Sequence, residues 1–204
     1  MTQAKPRYPT VDDYLDDKTS NFERVEYCDG ELIPLMAESG ENDYIAISLQ
    51  FYLATRGFFP LQLVRAHSCE LQVEKFHKDD HQTRLPDLVI LRPEHIELTR
   101  RRLSIRFAHP APLLVAEVVS PYNSTKERSY QEDYIQRPYQ YAMRGIPEYW
   151  IIDPQSQVVI VRSNPGASGY AKFQEFRDND LVRSQLPELA GLQLTARQIL
   201  EPQI

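Results

Sequence analysis

Two short apolar runs, LPDLVIL at residues 85–91 and PLLVAEVVS at residues 112–120, constrain this chain more than any other feature. Neither alternates polar with apolar residues, and both are short for a helix. A continuous run of this kind reads as a strand covered on both faces, and therefore as part of a central sheet with layers above and below it. Yet each run carries a carboxylate, Asp87 in the first and Glu117 in the second. Burying an acid in an apolar strand is costly unless it is paired, hydrogen-bonded or bound to a metal. Taken singly, each acid reads as readily as a structural group, a satisfied ion pair or a strand-edge carboxylate, as it does as a functional one. Taken together, two carboxylates from neighbouring strands can converge on one hard cation such as magnesium, which prefers oxygen ligands.

The flanking sequence mixes strands and helices. VDDYLDDK (residues 11–18) reads as a short acidic helix, and FERVEYCDGELIPLMA (22–37) as two strands around the turn dipeptide Asp29-Gly30. Residues 42–56 place apolar side chains at near-helical spacing. LQLVRA and CELQVEKF read as strands, and HKDDHQTR as a polar loop. TKERSYQEDYIQRPYQYAMRG (125–145) has helical periodicity and stops at Gly145. Pro138 requires that this helix either begin near it or bend there. PEYWIIDP and QVVIVRS form a strand pair around Asp153-Pro154, with Tyr149 and Trp150 as core residues, and YAKFQEF and a short helix at ARQILE follow. This order predicts a single domain over residues 1–204 of mixed α/β (α+β) type, with a mixed central sheet flanked by helices.

Composition excludes some classes and leaves others open. No apolar run approaches the roughly 18 residues of a membrane span, and the opening residues lack a secretory apolar stretch, so a cytoplasmic protein is expected. Cys28 and Cys69 are expected as free thiols. The net charge of −6 argues mildly against a dedicated nucleic-acid binder. Locally, Arg92, Arg100, Arg101, Arg102 and Arg106 outnumber Glu94 and Glu97, and this stretch reads either as a phosphate-contacting surface or as a solvated connector. His67, His77, His81, His95 and His109 show no metal-ligand spacing and receive no role.

Further candidates lie around the two acids. Asp133 and Arg137 are four residues apart on one helix face, where a salt bridge is the plain expectation and a phosphate-facing cation the functional one. Tyr141 continues that face, and Glu26, before the Asp29-Gly30 turn, reads as a strand carboxylate or a supporting acid.

In its order of FERVEYCDGEL, LPDLVIL, PLLVAEVVSP and DYIQRPYQYAMRGIPEYWIIDP, the chain resembles the Uma-type restriction-endonuclease family of the PD-(D/E)xK nuclease superfamily. The resemblance runs from about Tyr8 to the C-terminal helix. It implies a restriction-endonuclease-like fold, a magnesium site (manganese being an alternative) and DNA as substrate. By position, Asp87 matches the family's metal-binding aspartate, and Glu117 the acid of the (D/E)xK motif. Glu26 matches the glutamate ahead of the D-G turn. Asp133 and Tyr141 match a helical D-x-x-x-K-x-x-x-Y pattern whose lysine is replaced here by Arg137. Lysine can shed its proton when its pKa is depressed, whereas arginine effectively cannot, so Arg137 retains the charge without a general-base capacity. Lys126 is a possible substitute.

The leading expectation is a metal-dependent DNA endonuclease with Asp87 and Glu117 as ligands and Arg137 as charge partner, by analogy a homodimer. The alternative is a catalytically weakened or silent member of the fold that binds nucleic acid or a protein partner.

Overall fold

The computed structural model describes residues 8–17, 24–37, 39–78 and 80–203. Lys18, Phe22, Glu23 and Asp79, which the sequence reading assigned to a helix, a strand and a loop, lie outside them. Helix α1 (Val11–Asp16) begins at Thr10, whose hydroxyl accepts from the Asp13 N–H while the Asp13 carboxylate caps Thr10 in return. Strands β1 (Val25–Cys28) and β2 (Glu31–Pro34) form a hairpin. Its two-residue turn, Asp29-Gly30, has both φ values positive, at 47° and 93°, as the sense of twist in a tight hairpin requires. Helix α2 (Gly40–Thr55) precedes β3 (Val64–Ala66), β4 (Glu70–Gln72), β5 (Thr83–Arg84) and β6 (Leu88–Ile90). After β7 (Ser104–Ile105) and β8 (Leu114–Val118) come helices α3 (Arg128–Gln131) and α4 (Arg137–Met143). Strands β9 (Glu148–Asp153), β10 (Val158–Gly166) and β11 (Gly169–Phe176) and helix α5 (Ala196–Leu200) follow.

Six strands form the main sheet in the order β11-β10-β9-β8-β6-β3. It is mixed, as the element order predicts: β8 and β9 run parallel, and the other neighbours are antiparallel. Side chains alternate between two apolar layers, which explains the continuous hydrophobic runs. Leu88, Ile90, Leu114, Ala116 and Val118 pack with α2 residues Ile45, Leu49 and Leu53 and α5 residues Ile199 and Leu200. Val89, Val115, Tyr149 and Ile151 face the other way, against Tyr141, Leu71 and Ile105. Tyr149 and Trp150 are core residues, as their surroundings in the sequence suggest, and Cys28 and Cys69 are free thiols.

A second sheet, β5-β4-β7, was hidden from sequence reading because two of its strands have only two residues each. β5 lies inside the expected polar loop and β7 inside the arginine-rich connector, and pairing to β4 alone makes them strands. The connector itself starts with a 3₁₀ helix, Pro93–Arg100.

Its arginines are mostly committed to the protein. Arg102 is paired bidentately to Glu70 at 2.7 and 2.8 Å, and Arg106 reaches Asp16 at 2.7 Å. Arg100 meets Glu97 at 3.0 Å, and Arg92 donates to the Ala111 carbonyl at 2.6 Å. These partners favour the connector reading over that of a free phosphate-contacting surface. Among the described residues no helix is long and apolar enough to cross a membrane.

Candidate active site

The antiparallel register of β6 and β8 sets Leu88 opposite Ala116. Continued by one residue, it sets Asp87 opposite Glu117, so the two acids project from adjacent strands on the same side of the sheet. Asp87 is held at both ends: its N–H donates to Glu117 Oε2 at 3.3 Å, and its Oδ2 accepts from the Val118 N–H at 2.7 Å. Both side chains are buried, at 5% and 2% residual exposure, yet both line an open cleft of about 650 Å³.

The helix beyond β8 supplies the opposite wall. A π-helical turn, Glu132–Gln136, joins α3 to α4, and the Arg137 N–H reaches back to the Glu132 carbonyl. The wider turn lets Pro138 occupy the start of α4, so the helix continues without ejecting Arg137 from the site. It ends at Gly145, φ 78°, where the Ile146 N–H bonds the Tyr141 carbonyl and the Gly145 N–H bonds that of Ala142. Tyr141 donates its hydroxyl to Glu117 Oε1 at 2.6 Å. Arg137 Nη1 lies 3.4 Å from Glu117 Oε2 and is hydrogen-bonded to Asp133 Oδ1. The expected Asp133–Arg137 salt bridge is therefore present, and it is part of the cleft.

Electrostatics in the cleft are unbalanced. Burial drives the Glu117 carboxyl well above its usual range, Asp87 and Asp133 push it further, and Arg137 opposes them. Burial also raises Asp133 against the pull of Arg137. Burial disfavours the Arg137 charge, but Glu117, Asp133 and Glu26 more than offset that and keep it protonated. Arg137 thus stays a cation without being able to hold both Glu117 and Asp133 in their usual ionised range. A further positive charge would resolve the imbalance, and the donor set is made of hard oxygens. Among the described residues no three or more His, Cys, Asp or Glu side chains converge as a ready-made cage. Magnesium is commonly held by one or two carboxylates with waters and substrate phosphates, so the Asp87–Glu117 pair fits it.

Glu26 also lines the cleft, but its oxygens are spoken for. Oε2 meets Arg84 Nη1 at 2.9 Å and His81 Nδ1, and Oε1 accepts from the Leu85 N–H at 3.1 Å. Burial alone would raise its pKa; Arg84 first, then His81 and Arg137, override burial and lower it to about 2. A carboxylate so engaged anchors the wall of the cleft. Lys126 is exposed and is not among the cleft-lining residues.

Two histidines missed in the sequence reading do belong here. His67 Nδ1 is 3.4 Å from Asp87 Oδ1 and its Nε2 is 3.3 Å from Asp43 Oδ1. His81 bridges Glu26 and Arg128. Their partners are distant in the chain, so no local spacing signals either one.

A mixed sheet with an acidic cleft beside its central strands defines the class of fold. A solved structure from Anabaena variabilis ATCC 29413, described as a "putative nuclease belonging to DUF820", has the same architecture, with a TM-score of 0.66 and 19% identity. The match covers 94% of this chain and 97% of that one. Among curated proteins no match was found. The family model Uma2, described as "Putative restriction endonuclease", matches residues 11–197. This chain belongs to the Uma2 family.

Proposed function

We propose that this protein is a divalent-metal-dependent DNA endonuclease whose cation is held by Asp87 and Glu117. The observation that carries this reading is the pairing of these two buried acids on neighbouring strands, in a cleft where negative charge is under-compensated. Magnesium, or manganese in its place, would supply polarisation of the attacking water and of the scissile phosphate. The chain's own residues do the rest. Tyr141 fixes the Glu117 carboxylate by donating to one of its oxygens. Asp133 holds the guanidinium of Arg137 at the cleft, where it can stabilise charge developing on a phosphate. Burial removes competing water and strengthens these interactions.

Calorimetric titration of the wild type with magnesium and manganese, alongside plasmid cleavage with and without chelator, tests the reading. Cleavage that survives complete chelation would rule out the metal. Arg137→Gln is expected to lower the cleavage rate by about a hundredfold, the typical cost of losing one donor to a developing anion. An unchanged rate would remove Arg137 from the mechanism.

A duplex cut on both strands calls for two such clefts, so the proposal extends to a homodimer on DNA, to be read by sedimentation. The pairing of Arg137 with both Glu117 and Asp133 favours a second reading, because it partly satisfies these acids without a metal. In that reading the fold binds nucleic acid, or a protein partner, without cutting. Salt-dependent DNA binding with no cleavage in either metal would select it for nucleic acid.

A further inference from the structure

Hydrolysis of a phosphodiester needs a group to take a proton from the attacking water, and the acids and bases around the cleft are unequally able to do so. Arg137 keeps its proton under the influence of Glu117 and Asp133. Lys126 is exposed, away from the lining. Glu26 is ionised but is consumed by Arg84, His81 and the Leu85 N–H. Asp133 is bonded to Arg137. Asp87 and Glu117 are the proposed ligands.

His81 differs from all of these. It is buried, at 4% exposure, and lines the same cleft. Its Nε2 lies 3.3 Å from Arg128 Nη2. A guanidinium can only donate, so Nε2 must be the acceptor, and the ring proton must sit on Nδ1. Nδ1 in turn faces the Glu26 carboxylate, which accepts that proton's hydrogen bond. The hydrogen bonds at the two ends therefore select one tautomer of the imidazole, with its basic lone pair on the side away from Glu26. The backbone carbonyl of His81 is tied to Gln140 Nε2 at 3.0 Å, which fixes the loop that carries the ring.

We infer that His81, oriented by Glu26, is the general base of the proposed nuclease reaction, with Arg128 as a gate that yields Nε2 to the attacking water. The inference rests on the nuclease reading above. As the water oxygen forms its bond to phosphorus, the bridging P–O bond to the leaving strand breaks. The water proton passes to Nε2, and the departing oxygen takes a proton from solvent. The Arg128 side chain is largely exposed, and its ion pair with Glu132 at 2.7 Å can retain it when it leaves His81. The charged groups in contact with His81 are Glu26 from β1 and Arg128 from α3, with Arg84 from β5 behind Glu26 and Glu132 behind Arg128. Glu26 offsets the charge that the ring acquires, as a buried carboxylate beside a catalytic imidazole does in other hydrolases.

The test uses the full chain and two substitutions with complementary losses. His81→Asn keeps a donor for Glu26, and His81→Gln keeps an acceptor for Arg128; neither can take a proton. Both are expected to lower kcat for plasmid cleavage by about a hundredfold or more, the lower end of general-base contributions. Both should also alter the acid limb of the pH–rate profile, leaving in it only the protonation of Glu117 and Asp133. Affinity for magnesium alone should match the wild type, and His81→Asn, which keeps the hydrogen bond to Glu26, should stay folded at the assay temperature. If either variant keeps the wild-type kcat, or both slow down with the acid limb unchanged, the ring only positions its neighbours and the inference fails. A wild type that cuts no DNA in magnesium or manganese would overturn the nuclease reading itself, and this inference with it.

Discussion

Glu117→Gln is expected to abolish magnesium binding and to reduce DNA cleavage by at least about a thousandfold, since Lewis-acid stabilisation is worth several kcal/mol and about 1.4 kcal/mol is tenfold in rate. The fold should not suffer. Burial and the neighbouring acids Asp87 and Asp133 already favour the uncharged form of Glu117, so a neutral amide of the same shape removes an electrostatic cost. The amide oxygen can still accept from Tyr141, now bonded to Glu117 Oε1, while the amide nitrogen gives up the bond that Oε2 accepts from the Asp87 N–H. The two effects oppose each other, so the melting temperature should change little while activity disappears. That contrast separates a lost ligand from a damaged fold. Calorimetry with magnesium, a plasmid assay and a thermal melt on one preparation give all three readings. Cleavage at the wild-type rate would show that Glu117 is a structural acid and that the site lies elsewhere.

The second large effect concerns stability. Glu26→Ala is expected to cost about 3–5 kcal/mol, the usual penalty for breaking a buried ion pair and leaving one charge behind. Arg84 is 1% exposed and would keep its charge with Gln140 as its remaining side-chain partner among the described residues. Such a loss is a large part of the roughly 5–15 kcal/mol that holds a domain together. Replacing both partners, as in Glu26→Leu with Arg84→Met, should be milder than Glu26→Ala alone, because no charge is stranded.

The same ion pair predicts a pH dependence. The folded-state pKa of Glu26 is lowered from 4.5 to about 2, so its contribution is complete above pH 4.5 and is lost as pH falls toward 2. That contribution is about 3 kcal/mol at one unit per 1.36 kcal/mol. Urea denaturation across this window should show a steeper loss of stability in the wild type than in Glu26→Ala. Parallel curves would mean that Glu26 adds nothing.

How much was legible beforehand follows from how local each signal is. The two apolar runs announced strands buried on both faces, and the structure has Val89 and Val115 facing one layer with Leu88 and Leu114 facing the other. Asp29-Gly30 and Gly145 marked their turns because the backbone there takes positive φ, which few residues adopt at low cost. The Asp133–Arg137 pair was visible because one helical turn brings those residues together. Strands β5 and β7 were not visible, since two residues have no period to read. The π turn before Pro138 was equally hidden, although the proline showed that the helix needed some such adjustment.

The sequence by itself determined the presence of a covered mixed sheet, and it singled out Asp87 and Glu117, because an acid in an apolar strand needs a partner wherever the strand goes. Only the tertiary structure decided who those partners are. It closed Glu26 off with Arg84 and His81, left Lys126 outside the cleft, and brought His67 to Asp87 and His81 to Arg128. The physical reason is one of range. Burial and backbone preference act on a residue and its near neighbours, and both leave a trace in local sequence. An ion pair or a fixed tautomer depends on atoms a few ångströms apart whose residues are tens of positions apart, and only the folded chain sets that distance.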